Sequence, residues 1–361
     1  MVLDKIKSQI LEIADNDLGK NLNELDALKA FELREDKLFI QIALVPPINI
    51  IEGEIRNKVS DIINEIEKNV EWELQIDEVN IPLAPRKFLK EVKHIVAVAA
   101  GKGGVGKSAV ASNLAASLAS SGAKVGLVDG DIYGPSQPTI WGMKDAKLPA
   151  MPAPDGSTIV FPAEKFGVKI ASMGFLMKEN EAAIVRGPIL AGYLQMLIEQ
   201  IEWGELDFLV FDLPPGTGDI QLTLTQQTPL TGAVVVTTPQ EISVIDVRRS
   251  VKMFEKVKVP VIGIIENMSY FIPHDAPEKK YYIFGKGGGR RIADESNVPF
   301  LGEIPLLEKF RETNDNGTPF VLNHESGIYG AQIHEIVANI VQEIRKINYQ
   351  KINTSELTIE L

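Results

Sequence analysis

Cysteine is absent from all 361 residues. Without a thiol the chain forms no disulfide and offers no thiolate to a zinc or iron–sulfur site. Such a composition suits a reducing compartment or reflects plain compositional drift. Basic charge is also short, with 37 Lys and Arg against 49 Asp and Glu and a net charge of −12. A general nucleic-acid binder needs a basic face, so that class is disfavoured, although a local basic patch is not excluded. No apolar run approaches the roughly 18 residues that span a bilayer. The opening Met-Val-Leu-Asp-Lys-Ile-Lys starts an amphipathic helix rather than a signal peptide. A cytoplasmic protein is expected, with neither nucleic acid nor membrane among its partners.

What the chain does have is Gly-Lys-Gly-Gly-Val-Gly-Lys-Ser at 101–108. Its frame is G-x-x-x-x-G-K-[ST], the phosphate-binding loop. Gly101, Gly103, Gly104 and Gly106 let the backbone, including that of Val105, curl and turn its N–H groups on an anion. Lys107 reaches the β- and γ-phosphates of ATP, and the Ser108 hydroxyl is a ligand for Mg²⁺. Lys102 is needed for none of this. A second cation suggests a lysine that neutralises phosphate elsewhere, such as in a facing copy of the same site. The context agrees. His94–Ala100 is a short apolar run, as a buried parallel strand should be. Lys107–Ser121 has helical spacing and ends at Gly122, a C-cap residue.

The length predicts two or three domains. Residues 1–80 read as a small α+β domain. It has a helix at Lys5–Ala14, a hairpin of Ala30–Glu35 and Lys37–Val45, a helix at Ile51–Glu67 and a strand at Glu71–Val79. Residues 81–93, with prolines at 82 and 85, read as a linker. From 94 to 349 apolar strands alternate with helices. The strands are Val125–Asp129, Val168–Ser172, Phe208–Asp212, Gly232–Thr237, Val261–Ile265 and Phe300–Ile304. The helices include Pro188–Ile201, Ser243–Val257 and Gly327–Ile347. This alternation predicts an α/β fold, a doubly wound and mostly parallel sheet. Residues 350–361 read as a polar tail.

Ligands in such sheets lie beyond the carboxyl ends of the strands, and three strand ends carry chemistry. Asp129 is placed to hold Mg²⁺ or its water, and Asp131 to respond to the γ-phosphate; alternatively one of them caps the next helix. Four apolar residues lead into Asp212, as in a strand whose acid serves the Mg²⁺ shell. The loop after it is rich in Pro and Gly. Asn267 is placed to recognise adenine through its amide, or else ends its strand in a turn. The glycine cluster Phe284–Arg290 lacks the G-K-[ST] ending; a helix N-terminus or an inter-subunit contact explains it better than a second phosphate loop.

With its extra lysine, the Gly101–Ser108 loop resembles the deviant Walker A motif of dimeric MinD/ParA/nitrogenase-iron-protein ATPases. Asp129-Gly-Asp-Ile-Tyr-Gly-Pro-Ser, Asp212-Leu-Pro-Pro-Gly-Thr-Gly-Asp, Glu266-Asn-Met-Ser-Tyr-Phe and Ile283-Phe-Gly-Lys-Gly-Gly-Gly are similar to the Mrp (ApbC-like) iron–sulfur cluster carriers within that class. The resemblance implies a homodimeric P-loop ATPase that assembles or delivers clusters, with apo iron–sulfur proteins or scaffold proteins as partners. Lys102 would cross the dimer, and Lys107 and Ser108 would hold phosphate and Mg²⁺. Asp131 would act on the attacking water, Asp212 would be the Walker B acid and Asn267 the adenine contact. Cluster-carrying members place Cys-x-x-Cys where this chain has Phe271-Ile-Pro-His-Asp-Ala-Pro-Glu-Lys-Lys-Tyr-Tyr-Ile283. No iron–sulfur ligand is identifiable. His274, Asp275 and Glu278 would suit mononuclear iron or zinc better than a four-iron cluster; alternatively the loop is a solvated connection, or a partner protein supplies the ligands. The alternative is a cluster-free, nucleotide-switched adaptor or positioning ATPase in the manner of MinD and ParA. The C-terminus is poor in basic residues for a membrane helix, and the net charge disfavours a DNA face.

Overall fold

The computed structural model describes residues 2–82, 86–131, 134–153, 156, 158–176, 192, 196–273 and 275–359. The chain forms two compact units, one of Met1–Ala84 with Val341–Leu361 and the other of Pro85–Ile340.

In the first unit, α1 (Val2–Leu11) and α2 (Glu52–Ile66) accompany a sheet of β1 (Leu28–Arg34), β2 (Lys37–Leu44) and β3 (Trp72–Glu78). Glu35 and Asp36 lie at φ 49° and 68° between β1 and β2. Two successive positive φ values make the tight turn whose twist matches a hairpin, and Arg34 pairs with Lys37 across it. β3 runs parallel to β2, with α2 between them in sequence. Ile55, Val59 and Ile63, at helical spacing, bury one face of α2 with Ile6, Ile10, Ile40 and Ile42.

The C-terminal stretch from Val341 belongs to this unit, and the helix carrying it, Gly327–Ile359, continues through the residues expected to form a polar tail. Its anchor is Arg345, whose side chain has no solvent exposure. The guanidinium takes Asp15 in a two-pronged pair at 2.5 and 2.9 Å, reaches Asp17 at 2.6 Å, and donates through Nε to the Val45 carbonyl at 3.0 Å. Removing one partner of a buried pair strands the other charge, at a cost of about 3–5 kcal/mol. Arg345→Ala is therefore expected to lower the urea midpoint of this unit by a corresponding amount, read by far-UV circular dichroism. An unchanged midpoint would show that the pair does not hold the segment.

The second unit is built on an eight-stranded sheet. In chain order its strands are β4 (Val92–Ala99), β5 (Val125–Asp129), β6 (Ala163–Lys165), β7 (Val168–Ser172), β8 (Leu206–Asp212), β9 (Gly232–Thr237), β10 (Val261–Asn267) and β11 (Phe300–Ile304). They lie in the order β6-β7-β5-β8-β4-β9-β10-β11, all parallel except β6 against β7. The expected doubly wound sheet is present. Its central strands are buried on both faces, which is why they read as unbroken apolar runs. Ile95, Ala97, Ala99, Leu209, Phe211 and Val235 form a core with Val244, Val247, Val251 and Phe254; the last four lie on the helix Glu241–Lys256. The expected helix at 188–201 falls mostly outside the described residues; Met196–Glu199 is helical.

At the β11 edge, two amides of the C-terminal helix cover strand carbonyls. Gln332 donates to Glu303 O at 2.7 Å and Asn339 to Leu301 O at 3.0 Å. Edge groups satisfied in this way are closed to a further strand.

Candidate nucleotide site

The chain leaves β4 at Ala99 and turns through Gly101–Ser108 into the helix α3 (Lys107–Ser120). Two observations fix glycine in this loop. Gly104 and Gly106 both stand at φ +82°, where a β-carbon is strained. A Cβ on Gly106 would also collide with Asn267 Nδ2, and one on Gly101 would lie 2.5 Å from the Asp246 β-carbon. Val105 is buried and pins the loop to the protein beneath. Gly106 caps α3, so the first N–H groups of that helix face outward with the positive end of its dipole. This geometry cradles a phosphate group.

Register brings the acids together. On neighbouring parallel strands Asp212 of β8 pairs with Asp129 of β5, and Asp129 pairs with Ser172 of β7. Lys107, only 6% exposed, makes an ion pair with Asp212 Oδ1, and its Nζ lies 3.3 Å from the Ser108 hydroxyl. Asp129 is fully buried and accepts from Ser172 Oγ at 2.9 Å. Burial and then the neighbouring Asp212 charge push its carboxyl up to about 7. The Asp131 N–H donates to Asp129 Oδ1 at 3.2 Å, and burial pushes the Asp131 carboxyl upward while the Lys107 charge pulls it down.

Lys107, Ser108, Asp129, Asp131 and Asp212 thus form one constellation. Asn267 lies beside it, with its amide N–H donating to the Val105 carbonyl at 2.8 Å. In this structure that side chain braces the loop. Lys102 is half-buried, and no hydrogen bond or ion pair to it is found among the described residues.

Two members of the site escape sequence reasoning. Ser172 is the outer support of Asp129. Gln137, at the start of α4 (Gln137–Ile140), has no exposed surface and sits at the centre of the polar network. Its Nε2 donates to Asp212 Oδ2 at 2.9 Å and to the Ser108 carbonyl at 3.1 Å. Its Oε1 accepts from the Ser112 hydroxyl and from Trp141 Nε1, the latter at 3.2 Å. Its main-chain N–H donates to Asp129 Oδ2 at 3.2 Å. The one available signal is its place directly after Gly134-Pro135-Ser136; a neutral amide in a four-residue helix carries no charge pattern to find.

The second glycine cluster serves packing. Gly287, at φ 70°, caps the helix Gly288–Glu295, and the Gly289 N–H donates to the buried Glu266 carboxylate at 2.5 Å. A Cβ on Gly288 would collide with the Pro239 carbonyl. This N-terminus is occupied from within the protein.

The donor set suits a nucleotide phosphate with Mg²⁺, since glycine-forced curvature, a lysine, a hydroxyl and carboxylates converge there. It does not suit an iron–sulfur cluster. No cysteine exists in the chain, and among the described residues no group of three or more His, Asp or Glu is placed to hold a metal. In the 271–283 connection Phe271 bridges to Tyr281, Asp275 and Glu278 are exposed, and His274 lies outside the described residues. Among the described residues no helix is long and apolar enough to cross a membrane.

Comparison with known proteins agrees with this chemistry. The ParA family model, described as NUBPL iron-transfer P-loop NTPase, matches residues 91–343. An iron–sulfur cluster carrier protein of Synechocystis sp. is 38% identical over 354 residues, covering 95% of this chain and 98% of its own. One from Aquifex aeolicus is 39% identical, covering 98% of this chain and 99% of its own. A solved nucleotide-binding protein of Archaeoglobus fulgidus in complex with ADP is 36% identical with a TM-score of 0.56, over 64% of this chain and 90% of that one. A phosphate loop on a parallel sheet, matched along most of its length to such proteins, makes this chain a member of the ParA-type iron-transfer P-loop NTPases, the family of the iron–sulfur cluster carriers.

Proposed function

We propose that the protein binds ATP with Mg²⁺ on Gly101–Ser108, hydrolyses it as a homodimer in the cytoplasm, and uses that cycle to time the transfer of iron–sulfur clusters between scaffold and apo proteins. The observation that carries the reading is the buried Lys107–Asp212 pair beside Ser108, with Asp131 close by. Lys107 exchanges the Asp212 carboxylate for the β- and γ-phosphates. Ser108 and Asp212, backed by Asp129, would hold Mg²⁺, which supplies charge neutralisation when bound. Asp131 orients the water that attacks the γ-phosphorus, and the bond to the ADP oxygen breaks. Loop N–H groups and Lys107 stabilise the charge that develops on that leaving oxygen. Asn267 contacts the adenine, and the partner's Lys102 completes the site.

The cargo's ligands must then come from other proteins, because this chain has no cysteine. The same absence favours a second reading, a cluster-free switch whose ATP-bound dimer is simply a docking surface. Anaerobic incubation with iron and sulfide tests the first part. Iron counting and visible absorbance, with and without ATP, are expected to show no stoichiometric iron while ATP is still hydrolysed. Stoichiometric iron with a charge-transfer band would overturn ligation by partners alone. Pull-down with a cluster-loaded scaffold protein separates the two readings: ATP-dependent capture supports delivery, and indifference with turnover retained supports the adaptor.

A further inference from the structure

Among the described residues, each oxygen of the Asp212 carboxylate has one side-chain donor. Lys107 holds Oδ1 and Gln137 holds Oδ2. When Lys107 leaves for a phosphate, as the reading above requires, one of those donors departs. The acid stays fully buried beside Asp129, whose own carboxyl group repels a second negative charge. Among the described residues, Gln137 is then the donor that remains on it. The same residue holds Asp129 through its main-chain N–H and the phosphate loop through the Ser108 carbonyl.

We infer that Gln137 is a positioning residue for Mg²⁺-dependent nucleotide binding, keeping the Asp212 carboxylate aimed at Ser108 while Lys107 is engaged by phosphate. Its two ends do different work. The amide N–H₂ faces Asp212 and Ser108, whereas the carbonyl anchors the residue to Ser112 and Trp141. A buried amide with every neighbour engaged has one orientation available, because flipping it would set Oε1 against the Asp212 carboxylate. Gln137 also joins Asp129, through its main-chain N–H, to Asp212, through its side-chain amide.

The inference rests on the Mg²⁺–nucleotide reading of this site, and its test separates the two. Affinity for a fluorescent ADP analogue is measured in EDTA and in Mg²⁺, so that the readout is the gain due to the metal and not turnover. In Gln137→Met and Gln137→Glu that gain, taken against each variant's own affinity in EDTA, is expected to shrink about tenfold. Gln137→Met is the informative variant. It keeps the side chain's length and removes the donor to Asp212 and the Ser108 carbonyl without adding a charge, whereas Gln137→Glu keeps the acceptor for Ser112 and Trp141 but sets a second carboxyl group against Asp212. Trp141→Phe, which loosens the acceptor side alone, is expected to keep the full gain. A full Mg²⁺ gain in folded Gln137→Met would overturn the inference and leave Gln137 as an anchor of α4. Wild-type protein that binds no nucleotide in either buffer would instead overturn the reading of the site itself.

Discussion

Lys107→Ala is expected to abolish measurable nucleotide binding, weakening it by about 10²–10³-fold. The basis is the position of the ammonium. It is 6% exposed, paired with a fully buried carboxylate and set at the start of α3 behind the glycine loop. Truncating one member of a buried, hydrogen-bonded charge pair costs roughly 2–5 kcal/mol, and every 1.4 kcal/mol is about tenfold in affinity. The variant also carries a signature in pH. The Asp129 carboxyl stands at about 7 in the folded protein against an ordinary 3.8, and the Lys107 charge is among the influences that hold it down. Between those two values the native state holds a proton that the unfolded chain has released. Stability due to this group therefore falls as pH rises from about 4 to about 7. Without Lys107 the folded value climbs further and the loss continues to higher pH. Titration with a fluorescent ADP analogue checks the first expectation. Urea midpoints at pH 6 and pH 8 check the second, the gap between variant and wild type being wider at pH 8. Retained affinity in Lys107→Ala would mean that the loop amides alone hold the phosphates.

The parts of this site that are legible in the sequence are those where one residue type has one physical use. Glycines at 104 and 106 are demanded by positive φ, and 101 by the approach of Asp246, so the loop declares itself. Continuous apolar runs ending in Asp129 and Asp212 mark strands buried on both faces, and parallel register then places the two acids side by side. What stays hidden depends on partners distant in sequence. Gln137 takes its role through Ser108 and Ser112 of α3 and Asp212 of β8, two elements distant from it in sequence. Arg345 meets Asp15 and Asp17 from more than three hundred positions away, and no local period records that. The amide of Asn267, expected to recognise adenine, is engaged in this structure by the Val105 carbonyl. Residue type identifies the chemistry there, while the target of the hydrogen bond is set by how β10 ends against the loop.

Lys102→Ala should separate hydrolysis from binding in a way that Lys107→Ala does not. The two lysines sit in one loop with opposite surroundings. Lys107 is buried and already paired; Lys102 is half-buried, and among the described residues nothing is found to neutralise it. A lysine that serves its own nucleotide would be expected to face the acids of its own site. One that serves a facing copy is held ready until the second molecule arrives. A cation delivered in trans to the transition state of phosphoryl transfer is worth about 10³–10⁵ in rate when it is an arginine finger. A lysine, with a point charge and no fork, is expected at or below the lower end, so turnover should fall roughly 10²–10³-fold while ADP affinity stays within about threefold. Concentration gives the independent check. Specific activity of the wild type should rise with protein concentration as dimers form, and that of Lys102→Ala should stay flat. Mixing the two inactive variants is the sharpest form of the test. A mixed dimer holds one intact Lys107 site faced by the intact Lys102 of the other chain, so part of the activity should return. Unchanged turnover in Lys102→Ala, or no recovery in mixed dimers shown to form, would place Lys102 outside the partner's site.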